Sequence, residues 1–130
     1  MNQEQLGNIK NIFKLYPEIK LVYFFGSKVI GTDGPLSDYD FALYLDEKDK
    51  KRMLDIKFEL FDRLSRFFKT DKVDIVVLNL TESPELKYNI IKEGELIFEE
   101  EPFRILLEPK ILNEYFDFHL MLLKYNLTKA

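Results

Sequence analysis

Over the first sixteen residues the apolar positions Leu6, Ile9, Ile12, Phe13 and Tyr16 recur at helical spacing, and Pro17 follows as a stop signal. The period then changes. Lys20 to Phe25 is a short apolar and aromatic run suited to a strand, closed by Gly26-Ser27. Residues Gly31 to Pro35 are dense in turn formers and predict a loop, after which Tyr39 to Leu45 predicts a second strand. From Lys50 to Phe68 the helical period returns, with Met53, Ile56, Leu60, Leu64 and Phe67 on one face. Lys72 to Leu80, KVDIVVLNL, predicts a third strand. Ser83-Pro84-Glu85 supplies an N-cap, a proline at the first helical position and a first-turn acid for a helix ending near Gly94. Glu95 to Phe98 predicts an edge strand. A last helix is expected from about Ile111 to Tyr125, with Leu112, Phe116, Leu120 and Leu123 inward.

The order α-β-β-α-β-α-β-α, with a helix between the second and third strands, predicts an α/β (α+β) fold: a small mixed β-sheet with helices packed on it. The length of 130 residues and the lack of a repeat or linker predict a single domain over residues 1–130. Composition narrows the function. A net charge of −4 gives no basic footprint for a phosphate backbone, so direct nucleic-acid binding is not expected. No apolar run spans a bilayer and the N-terminus lacks a signal-peptide core. With no cysteine, a cytoplasmic protein without disulfides or thiolate metal sites is expected.

The chemistry concentrates in FFGSKVIGTDGPLSDYDFALYL, Phe24 to Leu45. Asp38 and Asp40 are two apart at the start of a strand, so alternation directs both to one face. Two carboxylates that close repel unless a cation lies between them. Oxygen-only ligation, with no Cys and no nearby His, favours Mg²⁺ or Mn²⁺ over Zn²⁺. Asp74 interrupts the third apolar strand and completes a three-acid cluster if that strand pairs beside the first two acids. Three carboxylates on two strands suit two metal ions and in-line displacement at phosphorus. Gly26-Ser27 supplies close backbone approach and a hydroxyl for a nucleotide triphosphate. The plainer alternatives are a turn-forming Asp38 and an edge-strand Asp74 facing water.

Gly26-Ser27, ten residues, then Asp38-Tyr39-Asp40 resembles the GSx₁₀DxD signature of the minimal nucleotidyltransferases, the MNT group of the DNA polymerase β superfamily. The resemblance runs from about Tyr23 to Phe98. It implies that Asp38 and Asp40 ligate two Mg²⁺ ions, that Asp74 holds the catalytic metal and helps activate an acceptor hydroxyl, and that Gly26, Ser27 and Lys28 bind the triphosphate. Lys28 stands where Arg is frequent in that family, which keeps a cation but loses bidentate contact. SDYDFALYL, VDIVVLNL, KEGELIFE and NEYFDFH are similar to the MNT antitoxins paired with HEPN ribonuclease toxins. That likeness implies transfer of AMP from ATP to a tyrosine of a partner toxin. Two alternatives stay open: transfer to a small hydroxylated molecule such as an aminoglycoside, and a non-catalytic module that blocks a toxin sterically.

The remaining features read as structural. The lone histidine, His119, is expected at the surface or half-packed, and Phe61, Phe67 and Phe68 in the core. Tyr39 should face away from the acids. Tyr115, Phe116 and Phe118 either pack within the chain or dock a partner.

Overall fold

The computed structural model describes residues 1–26 and 38–125. The elements are α1 (Gln3–Phe13), β1 (Ile19–Phe25), β2 (Tyr39–Leu45), α2 (Lys50–Phe68), β3 (Val73–Val77), a 3₁₀ turn (Leu78–Leu80), α3 (Pro84–Glu93), β4 (Glu95–Glu99) and α4 (Phe103–Lys124). Local chemistry sets most of the ends. Asn2 and Gln5 form a reciprocal capping box on α1, and Asp49 caps α2 through the Lys51 amide. Lys69 closes α2 in the left-handed conformation. Ser83 caps α3, with Pro84 at its start.

The four strands form one sheet in the order β3-β2-β1-β4. β1 pairs antiparallel with β2 and β4, while β2 and β3 are parallel, joined through α2. A parallel neighbour needs such a crossover, since a tight turn cannot reverse the chain twice. Strand alternation builds two apolar layers. Val22, Phe24, Phe41, Leu43, Val73 and Ile75 meet α1 and α2 on one face. Leu21, Tyr23, Ala42 and Val76 meet α3 and α4 on the other, around Ile90, Phe103 and Leu107. Tyr39 belongs to the first face, stacked 4.1 Å from the Phe68 ring, as expected for a structural residue.

Three expectations are corrected. The third strand stops at Val77, where a 3₁₀ turn begins and sets the Asn79 side chain against Leu45. Its amide accepts from the Leu45 N–H at 2.9 Å and donates to the Leu45 carbonyl at 2.8 Å, finishing the edge of β2 in place of backbone. Phe61 is not core. The buried stripe of α2 is Met53, Ile56, Leu60 and Leu64, with Phe67 and Phe68 packed beside it, while Phe61 remains 37% exposed.

The last helix begins at Phe103, earlier than expected, and carries Pro109 inside it. Leu112, Phe116, Leu120 and Leu123 face outward; Ile111 is buried, and Phe103, Leu107, Tyr115, Phe118 and Leu122 are half-buried. This helix is apolar on two opposite sides, so periodicity cannot choose the inward face and the sheet chooses it. No described helix is long and apolar enough to cross a membrane.

Candidate active site

β1 ends, and β2 and β3 begin, at one end of the sheet, and the acids gather there. Asp40 is the second residue of β2 and Asp74 the second of β3; parallel pairing makes them direct register partners. Both share parity with Ala42 and Val76, so they project to the face covered by α3 and α4. Their neighbours Val73 and Ile75 are buried on the opposite face. Asp38 is exposed and stands just before β2, outside its ladder. The strand starts at Tyr39, whose N–H donates to the Lys72 carbonyl at 2.9 Å.

Gly26 presses on this pair from the third strand end. The last residue of β1, Phe25, lies opposite Asp40, and Gly26 follows with φ +85°. A Cβ added at Gly26 would run into the Asp40 carboxylate oxygen Oδ2. The glycine is therefore required twice, by its left-handed backbone and by the closeness of the carboxylate. Ser27 and Lys28, the other expected phosphate contacts, lie outside the described residues.

The electrostatics favour a positive charge beside the acids. Burial, then Asp74, then Asp38 push the Asp40 carboxyl up to about 6. Among the described residues, no lysine or arginine forms an ion pair with Asp38, Asp40 or Asp74. Nor do three or more His, Cys, Asp or Glu side chains come together there closely enough to hold a metal ion. The expected three-acid cluster is thus a pair, Asp40 and Asp74, with Asp38 beside it. An all-oxygen pair of this kind, with no ion-paired cation among the described residues, fits a hard divalent cation such as Mg²⁺.

Beside Asp74 the open edge of β3 borders a groove of about 220 Å³ lined by Lys57, Phe58, Phe61, Val73, Asp74 and Ile75. A larger cleft of about 440 Å³ between α1 and α2 touches none of Asp38, Asp40 and Asp74. The sequence reading missed Phe58, which is 63% exposed. A signal was present: Leu54, Phe58 and Phe61 recur at helical spacing off the buried stripe of α2, a second apolar face with no core to fill. His119 is exposed, as expected, with its ring 5.9 Å from Tyr115.

Known proteins share this fold. A family model described as polymerase beta, nucleotidyltransferase matches residues 7–103. The chain is 31% identical over 90 residues to a protein adenylyltransferase MntA of Aphanizomenon flos-aquae, a match covering 65% of this chain and 59% of that relative. A toxin–antitoxin structure with AMP-PNP superposes with a TM-score of 0.75 at 21% identity, covering 96% of this chain and 95% of the other. A tri-AMPylated Shewanella oneidensis HEPN toxin in complex with its MNT antitoxin gives a TM-score of 0.73 at 20% identity, with the same coverage.

Proposed function

We propose, since the chain belongs to the polymerase beta nucleotidyltransferase family, that it transfers AMP from ATP to a tyrosine hydroxyl of a partner HEPN-type toxin and silences it. The observation that carries this reading is the register pair Asp40–Asp74 with Gly26 packed against it. The similarity to an MntA adenylyltransferase supplies the nucleotide and the class of acceptor.

In this reading the acceptor oxygen attacks the α-phosphorus while the bond to the bridging oxygen of the β-phosphate breaks, and pyrophosphate leaves. Asp74, on the open edge of β3, takes the acceptor proton. Asp40, fixed between β1 and β3, orients the phosphate end of the site. Gly26 brings backbone close to the phosphates, with Ser27 and Lys28 next in sequence. Asp40 and Asp74, with Asp38 beside them, would hold Mg²⁺, which neutralises phosphate charge and polarises the phosphoryl group. The acceptor approaches across the β3 edge, where Phe58 and Phe61 offer apolar contact and Lys57 disfavours a polycationic aminoglycoside. The same reading places the chain in the cytoplasm, beside its ATP.

The test is incubation with Mg²⁺, α-labelled ATP and a HEPN-type toxin, taken from the neighbouring reading frame where one is encoded. Label on a toxin tyrosine, lost with Asp40→Asn, is expected. Neutralisation of the toxin by Asp40→Asn with no label would establish a steric blocker instead. Label appearing only on an aminoglycoside would move the acceptor to small molecules.

A further inference from the structure

The outward side of α4 carries an apolar stripe that the fold leaves uncovered. Ile105, Pro109, Leu112, Phe116, Leu120 and Leu123 follow one another at intervals of three or four residues along the 22-residue helix. Ile105 is 74% exposed, Leu120 62% and Phe116 52%. The opposite side of the same helix is already engaged. Ile111 is buried, the Tyr23 hydroxyl donates to Glu108 at 2.6 Å, and Tyr115 stacks on Tyr88 of α3 at 3.9 Å. The stripe is therefore a second face, not a displaced core face.

We infer that this stripe is a dimer seam, in which α4 packs antiparallel against α4 of a second copy of the chain. The first argument is area. Five side chains between about a third and three quarters exposed, with Pro109 among them, form a continuous patch at the upper end of the roughly 300–600 Å² that a monomer leaves in its largest one, where such patches are often interaction sites. A stable interface buries about 800 Å² per partner, a little over half of it apolar, so the stripe alone supplies the apolar share.

The second argument is self-complementarity. A two-fold axis near residue 114 sets Ile105 against Leu123, Leu112 against Phe116 and Pro109 beside Leu120 of the other copy. Every layer is apolar on apolar, and no charged residue lies in the stripe. Spacing of three and four is that of an antiparallel helix seam. A two-fold contact of this type closes on itself and leaves no unsatisfied patch.

The experiment is light scattering behind size exclusion, across a wide concentration range, on the full chain. A mass twice the 15.6 kDa of one chain is expected. Phe116→Asp and Leu120→Asp should each halve it with the helical dichroism unchanged, since both residues are exposed. The chain contains no cysteine, so Leu112→Cys combined with Phe116→Cys should cross-link on oxidation, while Leu112→Cys alone should not. A monomer at every concentration would overturn the inference, as would a dimer indifferent to both aspartate variants or a cross-link formed equally by the single cysteine.

Discussion

Asp40 and Asp74 stand directly opposite each other across the parallel strands β2 and β3, and Asp40 is held at about 6 by burial and by that neighbour. A carboxyl raised in the folded state favours folding below its unfolded value of 3.8, and that advantage is lost as pH rises through about 6. Above that pH Asp40 of the metal-free protein ionises in a half-buried place beside Asp74. Asp40→Asn should therefore stabilise the metal-free chain at neutral and higher pH by about 1–2 kcal/mol, after discounting for partial solvation. The gain should vanish at acid pH. Mg²⁺ should raise the melting temperature of the wild type and leave the variant unmoved. Melting in chelator and in Mg²⁺ across pH checks this, and adenylyl transfer by the variant should fall about a hundredfold or more.

Gly26→Ala is expected to be costly in both stability and activity. Its φ of +85° strains any other L-residue, and the new methyl meets the Asp40 carboxylate. A loss of about 1–3 kcal/mol is expected from urea unfolding. A variant as stable as the wild type would mean that the end of β1 rearranges freely.

Glu18 and Arg52 tie the entry of β1 to α2, with Arg52 Nε donating to Glu18 at 2.7 Å. That hydrogen bond holds the Glu18 carboxyl below its ordinary 4.5. A lowered carboxyl contributes stability that is present above its unfolded value and is lost as pH falls through the folded one. Glu18→Gln should thus be destabilising near neutrality, by less than about 1 kcal/mol for so exposed a partner. The difference from wild type should close in acid, as read by denaturant midpoints at several pH values.

Tyr23 is buried at 1% exposure, and its hydroxyl donates to Glu108 at 2.6 Å, joining β1 to α4. Burial and the adjacent carboxylate push that phenol far above the ordinary tyrosine range, so it remains a donor at every working pH. Tyr23→Phe keeps the ring and removes the bond. A cost of about 1–2 kcal/mol is expected in thermal unfolding, since Glu108 retains Arg104 at 3.2 Å.

Phe58 and Phe61 border the groove beside Asp74. If the acceptor protein crosses the β3 edge there, Phe58→Ser with Phe61→Ser should raise its KM severalfold and leave the KM for ATP unchanged. Equal effects on both constants would indicate a folding defect, and no effect would move the acceptor elsewhere.

Local order was legible in the residues themselves. Helix caps, the change from helical to alternating period, and the glycine and proline breaks act within a few positions, so β2, α2 and α3 begin and end where the pattern places them. The Gly-Ser and Asp-Tyr-Asp spacing likewise pointed, in one dimension, to the candidate site where Gly26 and Asp40 meet. Tertiary structure decided what no local pattern encodes. Only strand pairing sets Asp74 opposite Asp40, because register depends on which strand lies alongside. Only packing turned α4 so that Ile111 is inward and Phe116 outward, since a helix with two apolar faces does not say which one is buried. The same holds for Phe61, which helical spacing alone could place in the core; the sheet beneath α2 was already covered by Ile56, Leu60 and Leu64. Short-range preferences are written residue by residue, but the face that a side chain shows to solvent is settled by whatever reaches the core first.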